Sequence, residues 1–181
     1  MMILVVGRPD SGKSLKAEEI VTEISDPDKR VYLATMIPYG EEGLERVAKH
    51  EAMRQGKGFV TVERAKDVGS IPDANGCIEG ISATQATVLL ECVSNLCANV
   101  MFENIDAKQD KKSAEETANI VTEDILTLKS KVKNLIVVTN EFDPEESFDE
   151  DTIRYTKAVS TVNSALRKEA DRVYDLIKGT I

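Results

Sequence analysis

The sequence predicts a three-layer α/β fold, a mainly parallel sheet flanked by helices. Three observations carry this. The runs Val88-Leu89-Leu90 and Leu135-Ile136-Val137-Val138 are continuously apolar rather than alternating, as expected of strands covered on both faces. Strand-like runs alternate with stretches of helical apolar spacing, which calls for crossover connections and parallel neighbours. A glycine-containing turn separates the first strand from the first helix, Gly7 and Gly12 bracketing it.

In chain order the strands are Met2–Val6, Val31–Thr35, a weak third at Val60–Val62, then Thr87–Cys92, Asn134–Thr139 and Arg172–Ile177. Each is rich in β-branched or large apolar residues and bounded by polar or turn residues. Between them, Leu15, Ile20, Val21 and Ile24 form one helical stripe, Ile120, Ile125 and Leu128 a second, and Ile153, Val159, Val162 and Leu166 a third. Glu41–Arg54 reads as a helix ahead of the third strand. Lys66–Gly80 and the acidic Glu141–Asp151, with Pro144, read as loops. No repeat or composition break divides the chain, so a single domain over residues 1–181 is expected.

Composition narrows the function. Of the 181 residues, 41% are hydrophobic and 30% charged, a normal globular balance. The formal net charge of −9 disfavours binding to nucleic acid or anionic membranes, as do four tyrosines and four phenylalanines without a basic stripe. The apolar runs are too short for a membrane span, and the N-terminus lacks a basic start and long apolar core. Cys77, Cys92 and Cys97 are odd in number with no CxxC spacing, which fits free thiols in a reducing cytoplasm better than a disulfide framework or zinc site.

The segment Gly7-Arg8-Pro9-Asp10-Ser11-Gly12-Lys13-Ser14 fits the P-loop pattern GxxxxGK[ST] in full, between an apolar strand and an amphipathic helix. Its backbone N–H groups and the start of the helix suit the phosphates of ATP or GTP. Lys13 is expected to reach the β- and γ-phosphates, and the Ser14 hydroxyl to coordinate Mg²⁺. A P-loop site needs a second acid near the metal, and Glu91, ending a buried strand, is the candidate. Asn140 and Glu141 follow another buried strand, at the carboxyl edge where open α/β sheets bind ligands. His50 is the one histidine. On spacing alone it reads either as a solvated helix residue beside Lys49 and Glu51 or as a nucleophile at phosphorus.

Together these segments resemble the bifunctional adenosylcobinamide kinase / adenosylcobinamide-phosphate guanylyltransferase family of cobalamin biosynthesis. The resemblance runs in register through Ser11-Gly12-Lys13-Ser14, Tyr32-Leu33-Ala34-Thr35, and Arg46-Val47-x-x-His50-x-x-x-Arg54. It continues through Leu89-Leu90-Glu91-Cys92, Val138-Thr139-Asn140-Glu141 and Ala170-Asp171-Arg172-Val173. It implies a RecA-like P-loop fold and a homotrimer. The implied reactions are phosphorylation of the adenosylcobinamide hydroxyl and transfer of GMP from GTP through a guanylyl-histidine. By the same matching His50 is the nucleophile, Lys13 and Glu91 are catalytic, and Ser14 and Glu91 hold Mg²⁺. Thr35, Arg46, Arg54, Asn140 and Glu141 join Gly7–Ser14 on the nucleotide.

The sequence also departs from the family pattern. Arg8 stands in place of a second loop glycine, and Asp10 in place of an arginine, putting a negative charge beside the phosphate cradle. After Thr139-Asn140-Glu141 the glycine-containing VGxGIVP is replaced by Phe142-Asp143-Pro144-Glu145-Glu146-Ser147. The FRD triplet reads Tyr155-Thr156-Lys157, and the tryptophan after the histidine helix is Phe59. Two other readings therefore stay open: a P-loop small-molecule kinase or NTPase with a different acceptor, and a GTP-binding regulatory protein without turnover.

Overall fold

A computed structural model describes residues 1–103, 111–143 and 148–177, with the side chain of Arg46 outside the described set. Strand β1 (Met2–Gly7) leads through the glycine loop into α1 (Lys13–Ile24), followed by β2 (Arg30–Ala34), α2 (Gly40–Arg54) and β3 (Phe59–Glu63). A short hairpin, β4 (Cys77–Ile78) and β5 (Ile81–Ser82), precedes β6 (Thr87–Glu91) and α3 (Val93–Met101). Then come α4 (Ala114–Lys131), β7 (Asn134–Asn140), α5 (Glu150–Glu169) and β8 (Arg172–Asp175).

Six strands form one sheet in the order β3-β2-β6-β7-β1-β8. Every pairing in it is parallel. Side chains alternate across the sheet. Ile3, Val5, Leu89, Ile136 and Val138 pack on Ala17, Ile20 and Val21 of α1. Met2, Leu4, Val6, Leu90, Leu135 and Val137 pack on α3, α4 and α5, through residues such as Leu96, Ile125, Leu128, Val162 and Leu166. This double coverage is why the strands read as unbroken apolar runs. Helices α4 and α5 begin at side-chain caps: Ser113 and Glu116 form a capping box, and Asp149 accepts the Thr152 N–H.

The predicted parallel three-layer architecture is present, with differences in detail. Thr35 and Cys92 lie just beyond β2 and β6, and β8 stops at Asp175. Leu15, Ile120 and Ile153, expected in the buried stripes, are exposed. Leu15 and Ile153 lie on the outer faces of their helices, opposite the buried Ala17 and Val21 of α1 and Ala158, Val162 and Leu166 of α5, and Ile120 lies on the outer face of α4. The stretch Lys66–Gly80, expected as loop, holds a short helical turn at Val68–Ser70 and the first hairpin strand. Glu141–Phe142–Asp143 follow β7 as loop, whereas residues 144–147 of that expected loop lie outside the described set. No described helix is long and apolar enough to cross a membrane.

Candidate active site around the phosphate loop

The parallel register brings the ends of β1, β2, β6 and β7 to one edge. Gly7 pairs with Asn140, Ala34 with Glu91, and Glu91 with Val138. The glycine loop therefore meets both acidic strand ends that the sequence singled out.

Within the loop, each glycine has its own reason. A Cβ on Gly7 would lie 2.2 Å from Ser11 Oγ and 3.2 Å from Ser11 Cβ, so a larger residue there would push Ser11 out of its place in the loop. Gly12 takes φ 80°, a left-handed conformation, at the N-cap of α1. No side chain caps this helix, so its first N–H groups are left to an anion. Asp10 also has positive φ, at 58°. Lys13 is buried and its Nζ donates to the Arg8 carbonyl at 3.0 Å. Burial pulls its pKa down, with Cys92, Glu91 and Asp10 acting in the opposite direction. Asp10 thus reaches Lys13 electrostatically. Arg8 pairs with exposed Asp143 at 2.7 Å, on the loop that replaces the family's glycine segment.

Ser14 Oγ donates a hydrogen bond to Glu91 Oε1. A serine hydroxyl and a carboxylate side by side are hard oxygen donors of the kind Mg²⁺ takes, in the usual P-loop arrangement with substrate phosphates completing the shell. Among the described residues no cluster of three or more His, Cys, Asp or Glu competes as a metal site. Burial pushes the Glu91 carboxyl above its usual range, opposed by the Ser14 hydrogen bond, by His50 and by Lys13. His50 is therefore near enough to Glu91 to be felt as a charge, although it comes from a different layer.

Residue by residue, the expected site divides. Gly7–Ser14 and Glu91 come together at the carboxyl edge, and His50 on α2 acts on Glu91 electrostatically. Thr35 is buried, and its hydroxyl lies 2.8 Å from the Glu91 carbonyl while accepting the Cys92 N–H at 2.7 Å. Its visible work is to hold the end of β6. Asn140 donates to Ser94 Oγ at 2.7 Å, and its carbonyl accepts from Asn163 at 2.9 Å. The Glu141 carboxylate faces Arg167 at 2.9 Å, and Arg167 also faces Asp175 at 2.9 Å. Arg46 lies on α2 with its side chain outside the described set. Arg54 is buried with its guanidinium over the Tyr32 ring, 3.4 Å from the centroid.

Among the described residues, the buried side-chain atoms without a hydrogen-bond partner include His50 Nδ1, Arg54 Nη1 and Asn140 Oδ1. All three belong to predicted site residues. Orphaned buried polar atoms are costly and rare, and a catalytic site that awaits its ligand is one of the places that keeps them. Glu18 was missed. It is fully buried and ion-paired to Lys57 at 2.6 Å, with its other oxygen unpartnered. Its signal in the sequence was a charge among the apolar positions of α1, which a surface helix equally shows.

A profile of the family described as cobinamide kinase / cobinamide phosphate guanyltransferase matches residues 3–181. The chain belongs to this family. It is 28% identical over 187 residues to the bifunctional adenosylcobalamin biosynthesis protein CobU of Escherichia coli K12, covering 99% of this chain and 97% of that one. The CobU protein of Salmonella typhimurium is likewise 28% identical, with the same coverage. Among solved structures, the ATPase domain of G40P superposes with a TM-score of 0.55 at 10% identity, covering 96% of this chain and 68% of that one. That likeness shows the P-loop NTPase fold. Family members are named for both a kinase and a guanylyltransferase activity.

Proposed function

We propose that this protein carries out both family reactions, phosphorylating the hydroxyl of adenosylcobinamide and then transferring GMP from GTP to the resulting phosphate through a guanylyl-His50 intermediate. The observation that carries the reading is the buried, unpartnered Nδ1 of His50 on α2, whose ring also acts electrostatically on the Glu91 carboxyl.

In the kinase half, the loop N–H groups and Lys13 hold the triphosphate of ATP or GTP. The substrate hydroxyl attacks the γ-phosphorus, the bond to the β-phosphate oxygen breaks, and the hydroxyl proton leaves to solvent. Catalysis here is mostly placement and charge neutralisation. In the guanylyl half, an imidazole nitrogen of His50 attacks the α-phosphorus of GTP. The bond to the β-phosphate oxygen breaks and pyrophosphate departs with its electron pair. A substrate phosphate oxygen then attacks the same phosphorus, the P–N bond breaks, and His50 is regenerated. Ser14 and Glu91 would hold Mg²⁺, which supplies Lewis-acid stabilisation of phosphate charge.

Exposed Ile37, Tyr39 and Leu44 near the start of α2 support the expected homotrimer, which sedimentation would measure. Intact-protein mass spectrometry after incubation with GTP and Mg²⁺ tests the function. The wild type should gain one GMP in an acid-labile adduct, and His50→Asn should gain none. GTP binding without any adduct would instead favour a kinase with another acceptor or a regulatory GTP-binding role.

A further inference from the structure

We propose that Tyr32 is a positioning residue for guanylyl transfer, tying the helix that carries His50 to the carboxylate beside the phosphate loop. This rests on the reading of His50 as nucleophile and adds the device that places it.

Helix α2 needs such a device. None of its described residues joins the hydrophobic clusters that hold the other helices to the sheet. Its inner end is instead held by polar contacts. Arg54, 7% exposed, lies flat over Tyr32 at 3.4 Å from the ring centroid, and its Nη1 has no partner. A π face, not a carboxylate, holds this buried guanidinium. Just beyond the helix, Lys57 pairs with buried Glu18 at 2.6 Å, and its carbonyl accepts from Arg30 Nη1 at 2.7 Å.

The same tyrosine reaches the chemistry at its other end. Tyr32 is 4% exposed in the middle of β2, and the edge of its ring is set by Phe59 in a T-shaped contact at 6.4 Å. Its hydroxyl points to Glu91 Oε2 at 3.5 Å, a long hydrogen bond, while Oε1 of the same carboxylate takes the Ser14 hydroxyl. One rigid, buried side chain thus links Arg54 to Glu91. His50 stands four residues before Arg54, one turn away on the same helix face, so placing Arg54 against the ring places the imidazole. The resemblance to the family puts Arg54 on the nucleotide; the geometry points to a tether.

The test follows adduct formation by rapid-quench intact mass with GTP and Mg²⁺, with GTP affinity and Tm measured in parallel. The proteins compared are wild type, Tyr32→Phe, Tyr32→Leu, Arg54→Met, the double variant Tyr32→Leu/Arg54→Met, and His50→Asn. Tyr32→Leu and Arg54→Met should each form the adduct about tenfold more slowly at saturating GTP, while Tyr32→Phe, which keeps the ring under Arg54 but loses the hydroxyl contact to Glu91, should be slowed about threefold. The double variant should be no slower than either single one, since both remove the same contact. GTP affinity should be unchanged throughout. If Tyr32→Leu does not fold, Arg54→Met breaks the contact from the other side while leaving the β2 core intact. An unaltered rate in both variants, or a loss of GTP affinity in Arg54→Met in place of a loss of rate, overturns the tether alone. No adduct on the wild type overturns the nucleophile reading and the tether together.

Discussion

The hydroxyl of Ser14, in the first turn of α1, donates to the carboxylate of Glu91, at the end of β6 and 77 residues later in the chain. This contact joins the phosphate loop to the strand two places away across β7, and it assembles the hard-oxygen pair that suits Mg²⁺. Replacing Glu91 by Gln keeps the shape and removes the charge. Steady-state assays should show Mg²⁺-dependent turnover falling by about 10²–10³. Nucleotide binding measured in EDTA should stay close to that of wild type, because the loop N–H groups and Lys13 are untouched.

Asp10 adds a negative charge close to Lys13 in the loop that must hold phosphate. Its φ of 58° is one that Asn tolerates as well as Asp, so Asp10→Asn removes charge without new strain. Nucleotide affinity should tighten by about three- to tenfold at low salt, with the gain shrinking as ionic strength rises. Titration calorimetry at two salt concentrations checks both parts, and unchanged affinity at low salt would sink the idea that Asp10 opposes phosphate.

Thiol chemistry should separate the three cysteines. Cys97 is buried and its pKa is pushed up to about 12, and burial raises that of Cys92 as well, against the Ser94 hydrogen bond. Cys77, in the hairpin, is only partly buried. Brief iodoacetamide treatment of the folded protein at neutral pH should label Cys77 alone, and all three should react in denaturant. Peptide mapping reads the outcome.

The Asp149 cap predicts a pH dependence of stability. Its carboxylate accepts the Thr152 N–H at 2.7 Å, and this bond holds its pKa below the ordinary value. A lowered folded-state pKa contributes stability in full above the unfolded value of about 4, and loses it as pH falls through the lower folded value. Asp149→Ala should therefore lower Tm by a few degrees at pH 7, and the gap to wild type should narrow in acid. Thermal melts at the two pH values decide it, and a gap that stays constant in acid would contradict the assignment.

Much of the fold was readable because it is written in local chemistry. Gly7, Gly12, Lys13 and Ser14 sit in a contiguous motif whose geometry follows from backbone freedom and one helix terminus. The strands β6 and β7 announced themselves as continuous apolar runs because both their faces are covered. Glu91 was legible as a carboxylate ending such a run, where an unpaired acid is costly. Leu15 and Ile153 misled because they were counted into stripes they do not share: the buried faces run through Ala17 and Val21 in α1 and through Val159, Val162 and Leu166 in α5.

The sequence by itself determined the architecture, the phosphate loop and the family, since each depends on residues near one another in the chain or on their order along it. Only the tertiary structure decided what meets what at the edge of the sheet. It placed His50 within electrostatic reach of Glu91, turned Arg54 onto the Tyr32 ring, committed the Thr35 hydroxyl to the backbone of β6, and buried Glu18 against Lys57. Those contacts depend on strand order and on how α2 seats, which long-range packing sets and no local pattern encodes.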